Sequence, residues 1–248
     1  MALVTGAAMV LYYDIEGDTA DHDDWHTYEH LHERLSIPGF ARATRWIATA
    51  GEPRYLVVYE VEDVAVATSP EYLARLNAPT PWTSSMMPRF RGMVRGFCTV
   101  VASAGYGLGR AALSVRFLPD PGDEDAVADR LARDVLPAIA SRRGMGGAHL
   151  LRPAPPPPMT KEQALRGRDA PIGWLLLATA YDADELREAA AANLDPGALA
   201  RLGLGARTEA GTYALDFTAT AREVERTPVP PPLDPEARRA SGPRNRTS

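Results

Sequence analysis

The chain has 248 residues, enough for one large domain or two small ones with a sizeable core. Hydrophobic residues are 45% and charged residues 24%; the net charge is −5 and no basic run carries interleaved aromatics, so no nucleic-acid partner is expected. A single cysteine, Cys98, rules out an intramolecular disulfide and a cysteine-based zinc site. No stretch approaches the roughly 18 apolar residues of a membrane span, and the first residues lack the basic n-region of a signal peptide. No membrane partner and a cytoplasmic location are the expectations.

The first half reads in chain order as follows. Ala7–Tyr13 is an apolar run typical of a buried strand. Residues 14–23 are polar and turn-like, and a helix is predicted over 24–35, ended by Pro38-Gly39. Residues 42–48 are a strand, Gly51-Glu52-Pro53 a turn, and Tyr55–Val61 a strand rich in β-branched and aromatic residues. Ser69 caps a helix over 70–77 with proline at its first position. Pro79–Thr83 is a rigid loop holding Trp82, and residues 92–103 form the last strand. The order β-α-β-β-α-β is that of a ferredoxin-like unit.

The second half repeats this order at an offset of about 104 residues, which is the alignment of Ala111 with Ala7. A helix over 124–141, strands over 147–152 and 172–181, a helix over 183–192, a short helix near 195–202 and a strand over 207–220 are predicted. The hairpin between the middle strands has grown into 153–171, which carries Pro155–Pro158 and reads as an exposed loop or flap. The predicted organisation is a first unit over 1–104, a second over 105–223 and a poorly ordered Pro/Arg-rich tail over 224–248. A lone unit leaves one sheet face bare, and two can bury those faces together. The fold class is therefore α+β: two tandem βαββαβ units forming an intramolecular barrel around a pocket, with room left for a homodimer of such chains.

Four of the five histidines, His22, His26, His30 and His32, fall within eleven residues. On an ideal helical wheel Trp25, Tyr28, Leu31 and Leu35 form one apolar stripe, with His32 inside it. His26, His30 and Glu33 fall on the opposite, solvent-wetted side. His26-Thr27-Tyr28-Glu29-His30 also matches H-x-x-E-H, in which His26 and His30 could share a divalent metal. No downstream third ligand stands out to complete such a site. Gly105–Gly109 is glycine-rich but precedes a strand, so it cannot set a phosphate at a helix N-terminus. Tyr13, Tyr59 and Trp46 lie on or near strands as candidate pocket walls, Arg95 would be unusual if it faced inward, and His149 stands on a second-half strand.

Trp25-x-x-x-Glu29-His30-x-x-Glu33-Arg34-Leu35-x-x-Pro38-Gly39-Phe40, followed by Arg42-Ala43 and later by Pro79–Thr83, resembles the EthD-like and related members of the dimeric α+β barrel superfamily. The resemblance implies a site between the helices and sheet of a unit, with His30 as the matching histidine. The wheel favours His32 instead, and both remain candidates. Arg34 is a third catalytic candidate, able to hold a carboxylate or to pair with a neighbouring acid. Trp25, Trp82, Tyr13, Tyr59 and Arg95 are candidates for binding substrate. The resemblance implies an enzyme doing cofactor-independent acid/base chemistry on a small organic molecule of aromatic or polyketide-like type: an isomerase, cyclase, lyase or monooxygenase. The alternatives are a non-catalytic small-ligand-binding protein and a barrel that depends on haem or a metal. The pocket is expected from residues 9 to 97, with the second half closing it and the Pro-rich insert as a lid.

Overall fold

The computed structural model describes residues 3–50, 52–194, 196–202, 204 and 208–227. The predicted tail therefore lies almost wholly outside the described residues. The strands are β1 (Ala7–Ile15), β2 (Phe40–Ala50), β3 (Tyr55–Val61), β4 (Phe90–Gly105), β5 (Ala111–Phe117), β6 (Met145–Pro153), β7 (Ala170–Pro171), β8 (Trp174–Ala180) and β9 (Thr208–Thr220).

Eight of them close into one antiparallel barrel in the order β1-β3-β2-β9-β5-β8-β6-β4, with β4 returning to β1. The last strand of each half is the long one, and it crosses over. β4 pairs with β1 of its own half and β6 of the other; β9 pairs with β5 of its own half and β2 of the other. The predicted fold class holds: this is a dimeric α+β barrel built from one chain. Closure removes the exposed strand edges that a single unit would leave unpaired.

Both faces of β1 are buried, which is why its sequence is a continuous apolar run rather than an alternation. Ala7, Met9, Leu11 and Tyr13 face the helices of the first half. Ala8, Val10 and Tyr12 face the barrel interior, where they meet Trp46, Leu56, Leu175, Leu177 and Tyr213 from both halves. The Tyr12 hydroxyl and Ser114 Oγ lie 2.6 Å apart across the two halves. The barrel lumen is thus packed. The first-half cavity lies between the first helix and the sheet, where the resemblance puts it, and Trp46 belongs instead to the lumen filling.

The first helix runs over 19–35, five residues earlier than predicted, because Asp18 caps it by accepting from Ala20 N. Its middle, His26–His30, is a π turn: the Leu31 N–H bonds to His26 O. The equivalent helix of the second half, over 124–140, carries its own π turn at Leu131–Val135. Ser69 caps Pro70–Leu76 as expected. Residues 79–83 are not a plain loop. Thr80 caps a short helix, Pro81–Met86, that places Trp82 on its first turn. The insert is also more ordered than a flap: Thr160 and Gln163 make a capping box for a helix, Lys161–Arg166, and β7 then pairs in parallel with Val94 and Arg95 of β4. Gly39 sits at φ 89°, where a Cβ would come within 2.5 Å of Val66, so the Pro38-Gly39 turn has a strict glycine requirement.

Candidate functional site

The π turn decides which side chains point inward. On a regular α-helix, residues four apart drift steadily around the axis; the wider turn takes up that drift. His22, His26, His30 and Arg34 consequently form one column facing the sheet, with His22, His26 and Arg34 at 0%, 2% and 2% exposure and His30 at 7%. The ring centroids of His22 and His26 are 5.5 Å apart, and those of His26 and His30 5.7 Å. Two expectations from the ideal wheel are therefore corrected. His26 and His30 are not solvent-wetted, and His32 does not face the pocket. His32 lies at the surface with Nε2 2.8 Å from Thr227 O, and Tyr28 is exposed rather than part of the core stripe.

The buried histidines differ in how their nitrogens are used. His22 has Nδ1 3.0 Å from Asp23 Oδ1 and Nε2 3.2 Å from the Tyr13 hydroxyl. Nδ1–H then donates to the carboxylate and Nε2 accepts from Tyr13. His26 has Nδ1 3.1 Å from Arg45 Nη1 and Nε2 3.2 Å from the Tyr59 hydroxyl. A guanidinium only donates, so Nδ1 accepts and Nε2–H donates to Tyr59. Both rings are fully satisfied. His30 is not: its Nδ1 is buried without a hydrogen-bond partner among the described residues. Trp25, whose indole N–H donates to Thr83 Oγ1 at 3.2 Å, packs its ring 4.3 Å from that of His30.

Arg34 repeats this pattern of partial satisfaction. Its Nη2 donates to both carboxylate oxygens of Glu162, each at 2.6 Å, in an ion pair buried on both sides. Its Nη1 is buried and has no partner among the described residues. Glu162 comes from the insert helix. Nearby, Arg166 holds Asp169 through two bonds of 2.8 and 2.6 Å, and Arg95 Nη1 approaches the same carboxylate at 3.8 Å. Arg95 does face inward, donating also to the Tyr72 hydroxyl and to Met9 Sδ. Three guanidinium groups, from Arg34, Arg95 and Arg166, thus meet on one small cavity of about 20 Å³, room for about one water molecule. Its apolar wall includes Leu11, Phe90 and Met93.

Burial sets the charge state of the site. It holds His26 and His30 well below the ordinary imidazole value, with the cations Arg45 and Arg34 adding to the effect. His22 is lowered by burial too, against the pull of Asp23. Burial raises the phenols of Tyr13 and Tyr59. At neutral pH the column is therefore neutral imidazole and neutral phenol beside permanent arginine cations. Such a site keeps its imidazoles unprotonated, as weak bases, and stabilises negative charge beside them.

Of the sequence candidates, His30, Arg34, Trp25, Tyr13, Tyr59 and Arg95 line this cavity. Trp82 does not; it is half-buried and packs on the edge of the first-half core. Glu29 accepts from Thr80 and Thr83, which occupies the glutamate that the H-x-x-E-H reading needs. No group of three or more potential metal ligands converges among the described residues. His149 belongs elsewhere, with Nδ1 2.9 Å from Ser103 Oγ and burial pushing its pKa down to about 4. Sequence reasoning missed Tyr72, Glu162, Arg166 and Asp169. The one available signal for Glu162 was the capping-box pattern Thr160-Lys161-Glu162-Gln163, which marks a helix inside the supposed flap.

No family model matches the chain, and no curated protein matches it. Solved structures do. A structure of an anthrone oxidase-like protein superposes with a TM-score of 0.61 at 11% identity, covering 89% of this chain and 96% of the other. A protein of Fusobacterium nucleatum, provisionally named a monooxygenase, gives 0.58 at 8% identity over 88% and 95%. One of Lactobacillus acidophilus, named in the same provisional way, gives 0.55 at 9% identity over 87% and 96%. At these identities the likeness establishes the barrel fold and nothing finer.

Proposed function

We propose that this single-chain barrel is a small-molecule enzyme in which neutral His30 takes a proton from a carbon or hydroxyl acid while Arg34 stabilises the resulting anion. The observation that carries the reading is the pair of buried, unpartnered polar atoms, His30 Nδ1 and Arg34 Nη1, on one cavity. Buried polar groups are normally satisfied. Two exceptions on residues lining one cavity, one a base and the other a cation, suit a reacting group that supplies the missing contacts. In the step itself, the proton moves to His30 Nδ1 and the bonding electron pair stays on the substrate, delocalised onto an oxygen beside Arg34. Such an anion can isomerise, eliminate, cyclise or react with dioxygen, the outcomes that match isomerase, lyase, cyclase and monooxygenase chemistry.

Tyr13 and Tyr59 act through their histidines and position the column; Trp25 fixes the plane of His30. The residues present do not fit a haem. His22 and His26 use both ring nitrogens in hydrogen bonds, and His30 looks onto a wall carrying the Arg34, Arg95 and Arg166 guanidinium groups and the Glu162 carboxylate rather than onto a flat apolar slot. We therefore read the chemistry as independent of a resident cofactor, and the barrel as needing no second copy for this site. The finer placement among EthD-like proteins rests on the helix motif alone.

The name of the anthrone oxidase-like neighbour makes anthrone, an aryl ketone with an acidic methylene, a first probe. Deuterium uptake at that methylene, followed by NMR in D2O, reads the proton transfer directly, with dioxygen excluded. The expected result is catalysed exchange that falls roughly 10²–10⁴-fold in His30→Gln. Exchange that persists unchanged in His30→Gln across a panel of such carbon acids would overturn the assignment.

A further inference from the structure

The insert supplies the carboxylates that neutralise the cavity arginines, and these come from outside the barrel. Glu162 sits on Arg34, and Asp169 sits between Arg166 and Arg95. Nothing in the fold of the first half requires this. The insert leaves the sheet after β6 and returns at β8, both strands of the other half, and its helix reaches across to the first-half pocket. Besides the Arg34–Glu162 pair, the helix is tied to the first half by Lys161 N donating to Asn77 Oδ1 at 3.0 Å and by Arg166 Nη1 on Met87 Sδ at 3.5 Å. The far end is anchored more firmly. β7 pairs with β4, and Ile172 packs so closely on Gly96 that a Cβ there would come within 2.4 Å of it.

A cavity that holds about one water cannot take an organic molecule as it stands. The barrel strands are locked by their ladders, and of the other walls the six-residue insert helix over 161–166 is the one we take to move. When it moves, Glu162 leaves and Arg34 stays, because Arg34 projects from the first helix toward the sheet. A guanidinium in that place requires an anion or water in exchange.

We propose that Glu162 is an internal stand-in for the ligand, and that the pocket takes an aromatic molecule carrying a carboxylate, which replaces the Glu162 carboxylate on Arg34. The geometry of the pair describes the ligand. Both Glu162 oxygens reach one guanidinium, so the position is shaped for two oxygens on one carbon. The adjoining wall of Leu11, Phe90, Met93 and Trp25 is apolar and aromatic, so the body of the ligand is flat and apolar. Arg34 and Arg95 stay with the first half while Asp169 stays beside the anchored β7, which leaves the net charge of the pocket positive. The inference deepens the acid/base reading by naming the ligand class, and it stands on Arg34 and Glu162 rather than on His30.

The test is a fluorescence titration of the full chain with 9-anthracenecarboxylate and with 9-anthracenemethanol, its uncharged counterpart. Wild-type protein is expected to bind the carboxylate at least tenfold more tightly than the alcohol. Glu162→Gln, which removes the internal competitor and keeps the shape, is expected to tighten the carboxylate about tenfold further and leave the alcohol unchanged. The carboxylate should also raise the melting temperature of Glu162→Gln more than that of wild type. Arg34→Gln combined with Glu162→Gln, a neutral pair of the same size, should lose the preference for the carboxylate. Equal binding of the two probes, no binding of either by Glu162→Gln, or an unchanged carboxylate affinity in Glu162→Gln overturns the proposal. Binding without His30-dependent exchange leaves it standing and removes the catalytic reading; His30-dependent exchange on neutral compounds with no carboxylate preference does the reverse.

Discussion

The two halves of the barrel are the same architecture filled in two ways. Both first helices carry a π turn, and the turns correspond residue for residue, His26–His30 with Leu131–Val135. Extended by whole turns, the inward column His22, His26, His30 and Arg34 in the first half corresponds to Val127, Leu131, Val135 and Ile139 in the second, all buried. The strands below follow suit. Tyr13 pairs with Tyr55 in the register that joins Phe117 to Trp174, so a hydroxyl-bearing ring stands where its partner half has none. The second half shows what this fold uses when it needs only a core: branched aliphatics and plain rings. The polar column of the first half is therefore not a requirement of the helix, the π turn or the barrel. Such a column costs desolvation that the aliphatic version avoids, a cost that the proposed acid/base site would account for.

The sharpest way to break the comparison is to unbalance the Arg34–Glu162 ion pair, whose arginine stands where the second half has Ile139. Glu162→Leu leaves Arg34 buried and unpaired on a rigid helix, and unfolding in urea should show a loss of about 3–5 kcal/mol. Arg34→Met should cost less, because Glu162 rides on the insert and can turn to water. Arg34→Met with Glu162→Leu should recover most of the loss by making the first half resemble the second. Equal losses in the two single variants would contradict a movable insert.

A smaller effect separates the halves by pH. His22, His26 and His30 are held neutral with folded pKa values below the ordinary 6.5. Below that value the unfolded chain takes up protons that the folded chain refuses. Stability is thus full above about pH 6.5 and falls as pH drops toward the folded values, by up to about 1.4 kcal/mol per pH unit for each group. His149, at about 4, adds its own share between 6.5 and 4. Urea midpoints measured from pH 7.5 to 5 should fall steadily in wild type. They should fall less in His22→Val with His26→Leu, which writes second-half residues into the column. A slope the same in both would mean that these histidines are not buried neutral. The smallest effect belongs to Tyr13→Phe, which borrows the ring of Phe117. It removes the acceptor contact of His22 Nε2 and should cost about 1 kcal/mol of stability.

Much of the fold was legible because it is written in short-range patterns. Tyr55–Val61 was placed to the residue by its β-branched and aromatic run, and the Ser69-Pro70 pair marked its helix start by capping chemistry alone. The repeated order of elements identified the barrel. The site was legible only as a set of residue types. His30, Arg34, Trp25, Tyr13, Tyr59 and Arg95 were singled out, yet the ideal wheel sent His26 and His30 to solvent and brought His32 inward. A wheel assumes one angle per residue, and the π turn changes that angle with no residue type that announces it.

The chain by itself therefore determined the order of strands and helices, that Pro38-Gly39 ends the first helix, and that four of the five histidines crowd into one half. Only the tertiary structure decided where those groups point and what they meet. Glu162 lies 128 residues from Arg34, beyond the reach of any local pattern. Their meeting depends on barrel closure carrying an insert from the second half onto the first. Periodicity reports which face of an element is apolar; it does not report which distant carboxylate will neutralise a buried cation, because that is settled by the packing of the whole sheet.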